Sequence, residues 1–305
     1  GCDNGTGVAS SLSRTAQEAI MFRIVAAALL AASLLALPTR AESQTAREAR
    51  QEVEASMVVT GTVDIDAQGE VTSHIVDLPD KLPDYVLELV DRAVPAFRFE
   101  PLLVDGSPAS GQAKMSLRLV ATQAGDGSMN VAIRSAHFGE TYSDTDASSV
   151  RRKNMRPPQY PSNVLVAGGT GTVYLLVKVG RDGRVEDVAA EQVNLTVVGT
   201  ARAMESIREA LARASISGAR RWTFIPPSEG PEAAHDHWVV RVPVDFRIGN
   251  NRRPRYGEWA SYHPGPRTRP DWARPTPPAF SPDLLLADSL TPEMSRFRLL
   301  TPLDG

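Results

Sequence analysis

The chain has 305 residues, 42% of them apolar and 23% charged, with a formal net charge of −3, a pI near 6.0 and a mean hydropathy of −0.20. That balance describes globular material amounting to about two domains. Nothing in it predicts nucleic-acid binding, which requires a concentrated basic face, and the lone cysteine, Cys2, excludes a disulfide within the chain.

Residues 1–20 lack an initiating methionine and precede a good one, so they read as upstream translation. From Met21, Arg23 supplies a short positive start and Ile24 to Leu37 an apolar run. Pro38 and Thr39-Arg40-Ala41 then complete the pattern of a signal peptide over 21–41. The run falls short of the roughly 20 apolar residues that a membrane span needs. A retained, tilted anchor is the alternative. Residues 42–52 form a short charged segment.

The first unit, 53–121, opens with Val59, Val63, Ile65 and Val71 alternating around a Gln68-Gly69 turn, the signature of a β-hairpin. A helical stretch follows, with Tyr85, Leu89 and Ala93 at helical spacing and Val86 and Val90 beside them. It ends in "AFRFEP", and a strand with Met115, Leu117 and Leu119 on one face closes the unit. Residues 122–150 are rich in Gly, Ser, Asp and Thr and read as a linker with a short strand at 129–133.

The second unit, 151–248, repeats the order. Val173, Leu175, Val177 and Val179 alternate before Asp182-Gly183 and Val185. Met204, Ile207, Leu211 and Ala214 mark a longer helix, "RRWTFIPP" ends it, and Val240, Val242, Val244 and Phe246 share one face of the last strand. The repeated phrase predicts a corner: Phe97 and Phe99, like Trp222 and Phe224, enter a small core, and Pro101 or Pro226 ends the segment. Residues 249–305 form an Arg/Pro-rich tail whose proline density blocks helix and ladder, predicting an extended, solvated chain. Trp259, Tyr262 and Trp272 are candidates to dock on a sheet.

The second unit resembles the C-terminal domain of TonB. The residues that carry the likeness are "PPQYP" at 157–161, "GTVYLLVKVGRDGRVEDV" at 171–188, "RRWTFIPP" at 220–227 and "VRVPVDFRI" at 240–248. The first unit looks like a degenerate second copy that lacks the Tyr-Pro opening. The resemblance implies an α+β fold: two tandem small units, each a three-stranded antiparallel sheet with helices on one face. It further implies a periplasmic protein that binds the TonB box, an extended segment of outer-membrane TonB-dependent receptors, by β-strand addition at the edge near the last strand.

Carried over by position, the peptide-binding residues are Pro158, Gln159, Tyr160 and Pro161, together with Val240, Arg241, Val242, Val244, Asp245, Phe246 and Arg247. Arg241, Asp245 and Arg247 are expected to point outward. Pro157 stands where the family commonly has glutamine, and Pro243 inside the last strand suits only an edge. Extra connector length is expected at 196–203. The apolar segment holds only Ser33 and no histidine, and no Pro-rich spacer follows it, which puts energy transduction in doubt.

No nucleophile elbow, Walker-type phosphate loop or catalytic cysteine appears, so the chain reads as a non-enzyme without a cofactor. His235-Asp236-His237 is the one metal-like cluster and reads as loop polarity. The leading reading is a peptide-binding module. The alternatives are a true energy transducer with an uncleaved anchor, which would engage inner-membrane motor proteins, and a structural envelope protein whose units pair with each other or in a homodimer.

Overall fold

The structure, a computed structural model, describes residues 49–50, 52–123, 128–140, 146–249, 252–287 and 289–303. The expected signal segment and the residues before it lie outside them.

The first unit consists of β1 (Glu54–Ile65), β2 (Val71–Val76), α1 (Asp84–Ala93), the small hairpin β3 (Leu102–Val104) and β4 (Ser107–Ala109), and β5 (Gly111–Gln123). The central strand β1 pairs with the hairpin strand β2 on one side and with the return strand β5 on the other, both antiparallel. Met57, Val59, Val63 and Ile65 of β1 are buried, as period-two alternation requires of a sheet with one covered face. On α1 the buried stripe is Val86 and Val90, continued by Val94 just past its end, one position on from the one the sequence singles out. Tyr85 is exposed and accepts a hydrogen bond from Trp259 Nε1 of the tail at 3.1 Å.

The segment expected as a linker holds a full strand, β6 (Met129–Gly139), paired along β5. Its register slips between Arg118 and Leu119 so that Arg134 bulges out. Ile133 lies on the core face before the bulge, Ala136 and Phe138 after it. A bulge reverses the phase of alternation, which is why period-two reading of the sequence stops at Ile133.

The second unit holds β7 (Arg151–Asn154), the short helix α2 (Ser162–Val166), β8 (Gly171–Gly180), β9 (Val185–Leu195), α3 (Ala201–Ala219), β10 (Thr223–Ile225) and β11 (His237–Phe246). The order β9–β8–β11 repeats β2–β1–β5. Met204 and Leu211 of α3 are buried against the sheet, with Ile207 and Ala214 partly covered. Thr200 caps the helix, its hydroxyl accepting from Ala203 N–H at 3.3 Å.

The repeated phrase makes the same clasp twice. Phe99 N–H donates to Gly69 O and Phe224 N–H to Gly183 O, each at 2.8 Å, so each corner is tied to the turn of its own hairpin. Both glycines have positive φ, +84° and +75°, and a Cβ there would fall 2.1 and 2.2 Å from the carbonyl oxygens of Phe99 and Phe224. Only glycine supplies that conformation and that clearance. The aromatics are buried, Phe97 and Phe99 meeting Phe138 edge-on at 5.9 and 4.7 Å. Trp222 Nε1 donates to Arg156 O at 2.8 Å. Pro101 is exposed and Pro226 half-buried, consistent with prolines that end a segment without filling the core.

The tail is extended but packs on the sheets at several points instead of lying wholly in solvent. β12 (Ala260–Tyr262) pairs with the start of β1, residues 263–268 run along the margin of β9, and β13 (Thr291–Pro292) pairs with β11. Leu300 N–H donates to Arg98 O at 2.8 Å, covering the first corner. Phe280, Leu284 and Leu285 pack on Tyr174 of β8. This explains why β8 and β11 are buried on both faces. Proline prevents the tail from forming a ladder of its own but not from packing, because existing strand margins supply partners for its remaining N–H and C=O groups.

Candidate functional site

The leading segment of the second unit and the far half of β11 enclose a groove of about 690 Å³. Pro158, Tyr160, Val242, Val244, Asp245, Phe246 and Arg247, all singled out in the sequence, line it. Pro158 is pressed against α3 at Gly218, where an added Cβ would come within 2.9 Å of its ring. Tyr160 meets Phe246 edge-on at 5.2 Å and donates its hydroxyl to Gly169 O. Burial raises the pKa of that phenol and keeps it a neutral donor. Pro161 precedes the first turn of α2. Gln159 is exposed and opens onto a neighbouring cleft with Arg156 and Arg221 rather than onto the groove.

The margin of β11 is divided in two. Glu293 N–H donates to Val239 O at 2.9 Å, and Arg241 lies opposite Thr291. Outward backbone groups alternate along an antiparallel strand, so those of Val239, Arg241, Pro243 and Asp245 face away from β8. The tail takes the first two. Among the described residues no strand pairs with the margin of β11 that faces away from β8 beyond Arg241. Pro243 fits this placement because the nitrogen that lacks a proton points away from β8.

Two of the expected site residues have other roles. Arg241 does not point into solvent: it is 1% exposed, lies under the tail and pairs bidentately with Glu191, Nε–Oε2 at 2.8 Å and Nη2–Oε1 at 3.1 Å. Its Nη1 donates to Glu293 O at 3.0 Å, and its guanidinium sits 4.4 Å from the ring centre of Phe280. A buried arginine needs this full set of partners. Val240 is a core residue beside the tail-covered half.

Asp245 is nearly buried. Thr172 Oγ1 donates to its Oδ1 at 2.6 Å, and Arg247 and Arg253 reach its Oδ2 at 3.1 and 2.6 Å. Both guanidiniums remain partly exposed and, with Arg152, give the groove a cationic rim. Sequence reading missed Arg152, Met155, Arg253 and Ser289. The basic run at 151–156 signalled the first two, but nothing local placed Arg253 or Ser289 beside a strand reached only through the fold. The His235-Asp236-His237 cluster is dispersed, with His235 on Glu232 at 3.1 Å and Asp236 on Arg181 at 3.1 Å.

No family model matches the chain. Two relatives do. Protein tonB2 of Pseudomonas aeruginosa is 33% identical over 91 residues, covering 30% of this chain and 28% of that protein. Protein TonB of Xanthomonas campestris pv. campestris is 35% identical over 107 residues, covering 35% of this chain and 42% of that protein. The matched stretch thus spans less than half the length of either relative. The solution NMR structure of the Pseudomonas aeruginosa TonB CTD aligns at 20% identity over 35% of this chain and 92% of its own, with a TM-score of 0.24, too low to carry the assignment. On the sequence relatives, together with the Tyr-Pro opening, the glycine-turned hairpin and the aromatic corner, the chain carries a TonB C-terminal-like domain.

Proposed function

We propose that the second unit captures an extended segment of an outer-membrane receptor by adding it as a strand to the open half of β11, from Val242 to Arg247. The observation that carries this reading is the margin beyond Arg241, which no strand covers among the described residues and which faces the groove under Pro158 and Tyr160. The first unit supports it by analogy, since there β6 already pairs along the equivalent margin of β5. One unit has its extra strand built in, and the other is left to receive one.

Pro243 C=O and the N–H and C=O of Asp245 are the groups on offer. At about 0.5–1.5 kcal/mol each, three such bonds support weak, reversible capture. The relatives support a periplasmic setting and receptor partners. Energy coupling through inner-membrane motor proteins depends on whether residues 21–41 are retained, and the mass of the mature chain decides that. A structural role is favoured instead by the margins the tail does cover, at residues 263–268 and 291–293.

The test is titration of isotope-labelled protein with synthetic peptides from the extended segments of the same cell's receptors. Binding with shifts confined to residues 155–161 and 242–247 is expected. Absence of any shift at millimolar peptide defeats the proposal and favours the structural role.

A further inference from the structure

We propose that the C-terminal tail sets the length and register of the strand that this site accepts, with Pro243 and Ser289 marking the boundary. The inference rests on the capture proposed above and adds its specificity. β13 pairs with β11 at Val240↔Pro292 and Arg241↔Thr291, and Glu293 N–H reaches Val239 O. Two residues further along the same register, Ser289 would lie opposite Pro243. The ladder stops there because Pro243 has no N–H to give. Ser289 N–H instead turns back to Leu286 O at 3.0 Å.

The tail therefore fills one half of the margin and leaves the other, and the change from one to the other is fixed by a residue of β11 itself. Ser289 stands at the blocked end. It lines the groove, and its hydroxyl is buried with no hydrogen-bond partner among the described residues. A buried polar atom left unpaired is costly, and a partner strand ending beside it would supply the missing bond. The site is thus a blind-ended seat. A segment lying along Val242–Arg247 must stop or turn away at Thr291, and residues beyond that point gain no backbone pairing.

The experiment compares two peptides from one receptor segment, about five and about ten residues long, on the wild-type chain and on Thr291→Pro, which removes a tail N–H from the ladder. Wild-type protein is expected to bind both peptides with similar Kd. In Thr291→Pro the longer peptide gains about fivefold or more, the size of one or two backbone bonds, while the shorter one is unchanged. A longer peptide already favoured by that margin in the wild type, or an unchanged ratio in the variant, overturns the inference while leaving capture intact. Failure of both peptides on both proteins defeats the capture reading and the inference with it.

Amide exchange on the wild type provides a check that needs no variant. The Arg241 amide should be protected in the free protein, and the Asp245 amide should slow only when peptide is added. An Arg241 amide that is fast in the free protein and protected by peptide refutes the tail's role. Ser289→Ala should weaken both peptides several-fold without lowering Tm, since the hydroxyl it removes has no partner among the described residues of the free protein.

Discussion

Replacement of Arg241 by methionine puts the two-sided burial of β11 at risk. The Arg241–Glu191 pair is almost wholly out of water, the two residues being 1% and 2% exposed. Arg241→Met keeps the length of the side chain and much of its contact with Phe280 but leaves the Glu191 carboxylate buried without its cation. It also removes a donor from Glu293 O. Breaking one side of a buried pair costs about 3–5 kcal/mol. In a chain of this size each kcal/mol lowers Tm by about 2–4 °C, so a drop of about 6–20 °C is expected. In the double variant Arg241→Met, Glu191→Met the stranded charge is gone. Apolar replacement of a buried pair is close to neutral, so stability should return to within about 1 kcal/mol of the wild type. Urea unfolding followed by circular dichroism measures both. A single variant that costs less than about 1 kcal/mol, or a double variant less stable than the single, refutes the reasoning. Were Arg241 a ligand contact on an open edge, the single change would weaken peptide binding and leave stability alone.

Gly183→Ala should destabilise much more than Gly168→Ala. Both glycines have positive φ, but a Cβ at Gly183 meets Phe224 O at 2.2 Å, whereas one at Gly168 meets nothing within 4 Å. The difference between their urea midpoints isolates the clasp from the backbone strain of about 1–2 kcal/mol that both share, and equal midpoints would remove the clasp's importance. His137 is packed against Phe280, and burial, aided by Arg241, depresses its pKa from 6.5 to about 4. A histidine held neutral in the folded state lends stability that is complete above the unfolded value of 6.5 and is lost as pH falls towards 4. The slope is at most about 1.4 kcal/mol per pH unit, and His137→Leu should flatten that window of the stability curve. Phe280→Ala should cost about 3–5 kcal/mol through the cavity it leaves beneath the tail, while the first-unit clasp at Phe99 keeps its slow amide exchange.

Much of this protein was legible in its sequence because the signals are local. Alternation around Gly69 and Gly183 predicts the hairpins. The doubled aromatic phrase predicts two corners, though not that each is tied back to the glycine of its turn. Pro243 announces an edge strand, since a proline nitrogen is tolerated only where no neighbour needs its proton. That Tyr160 and the last strand belong to one site was implied by the resemblance alone, and their meeting in a groove appears only in the fold. What alternation could not convey is the phase reversal at Arg134, which hides the second half of β6.

Occupancy of strand margins was decided only by tertiary structure. Arg241 follows the same alternation as Asp245 and Arg247, yet it is buried because Glu191 and Glu293, 50 and 52 residues away, converge on it. The Arg/Pro composition of the tail rules out its own ladder but says nothing about margins elsewhere that satisfy its backbone. Period, turn and corner are properties of a few consecutive residues. Which margin stays open depends on where distant polypeptide is free to lie, and packing alone selects that.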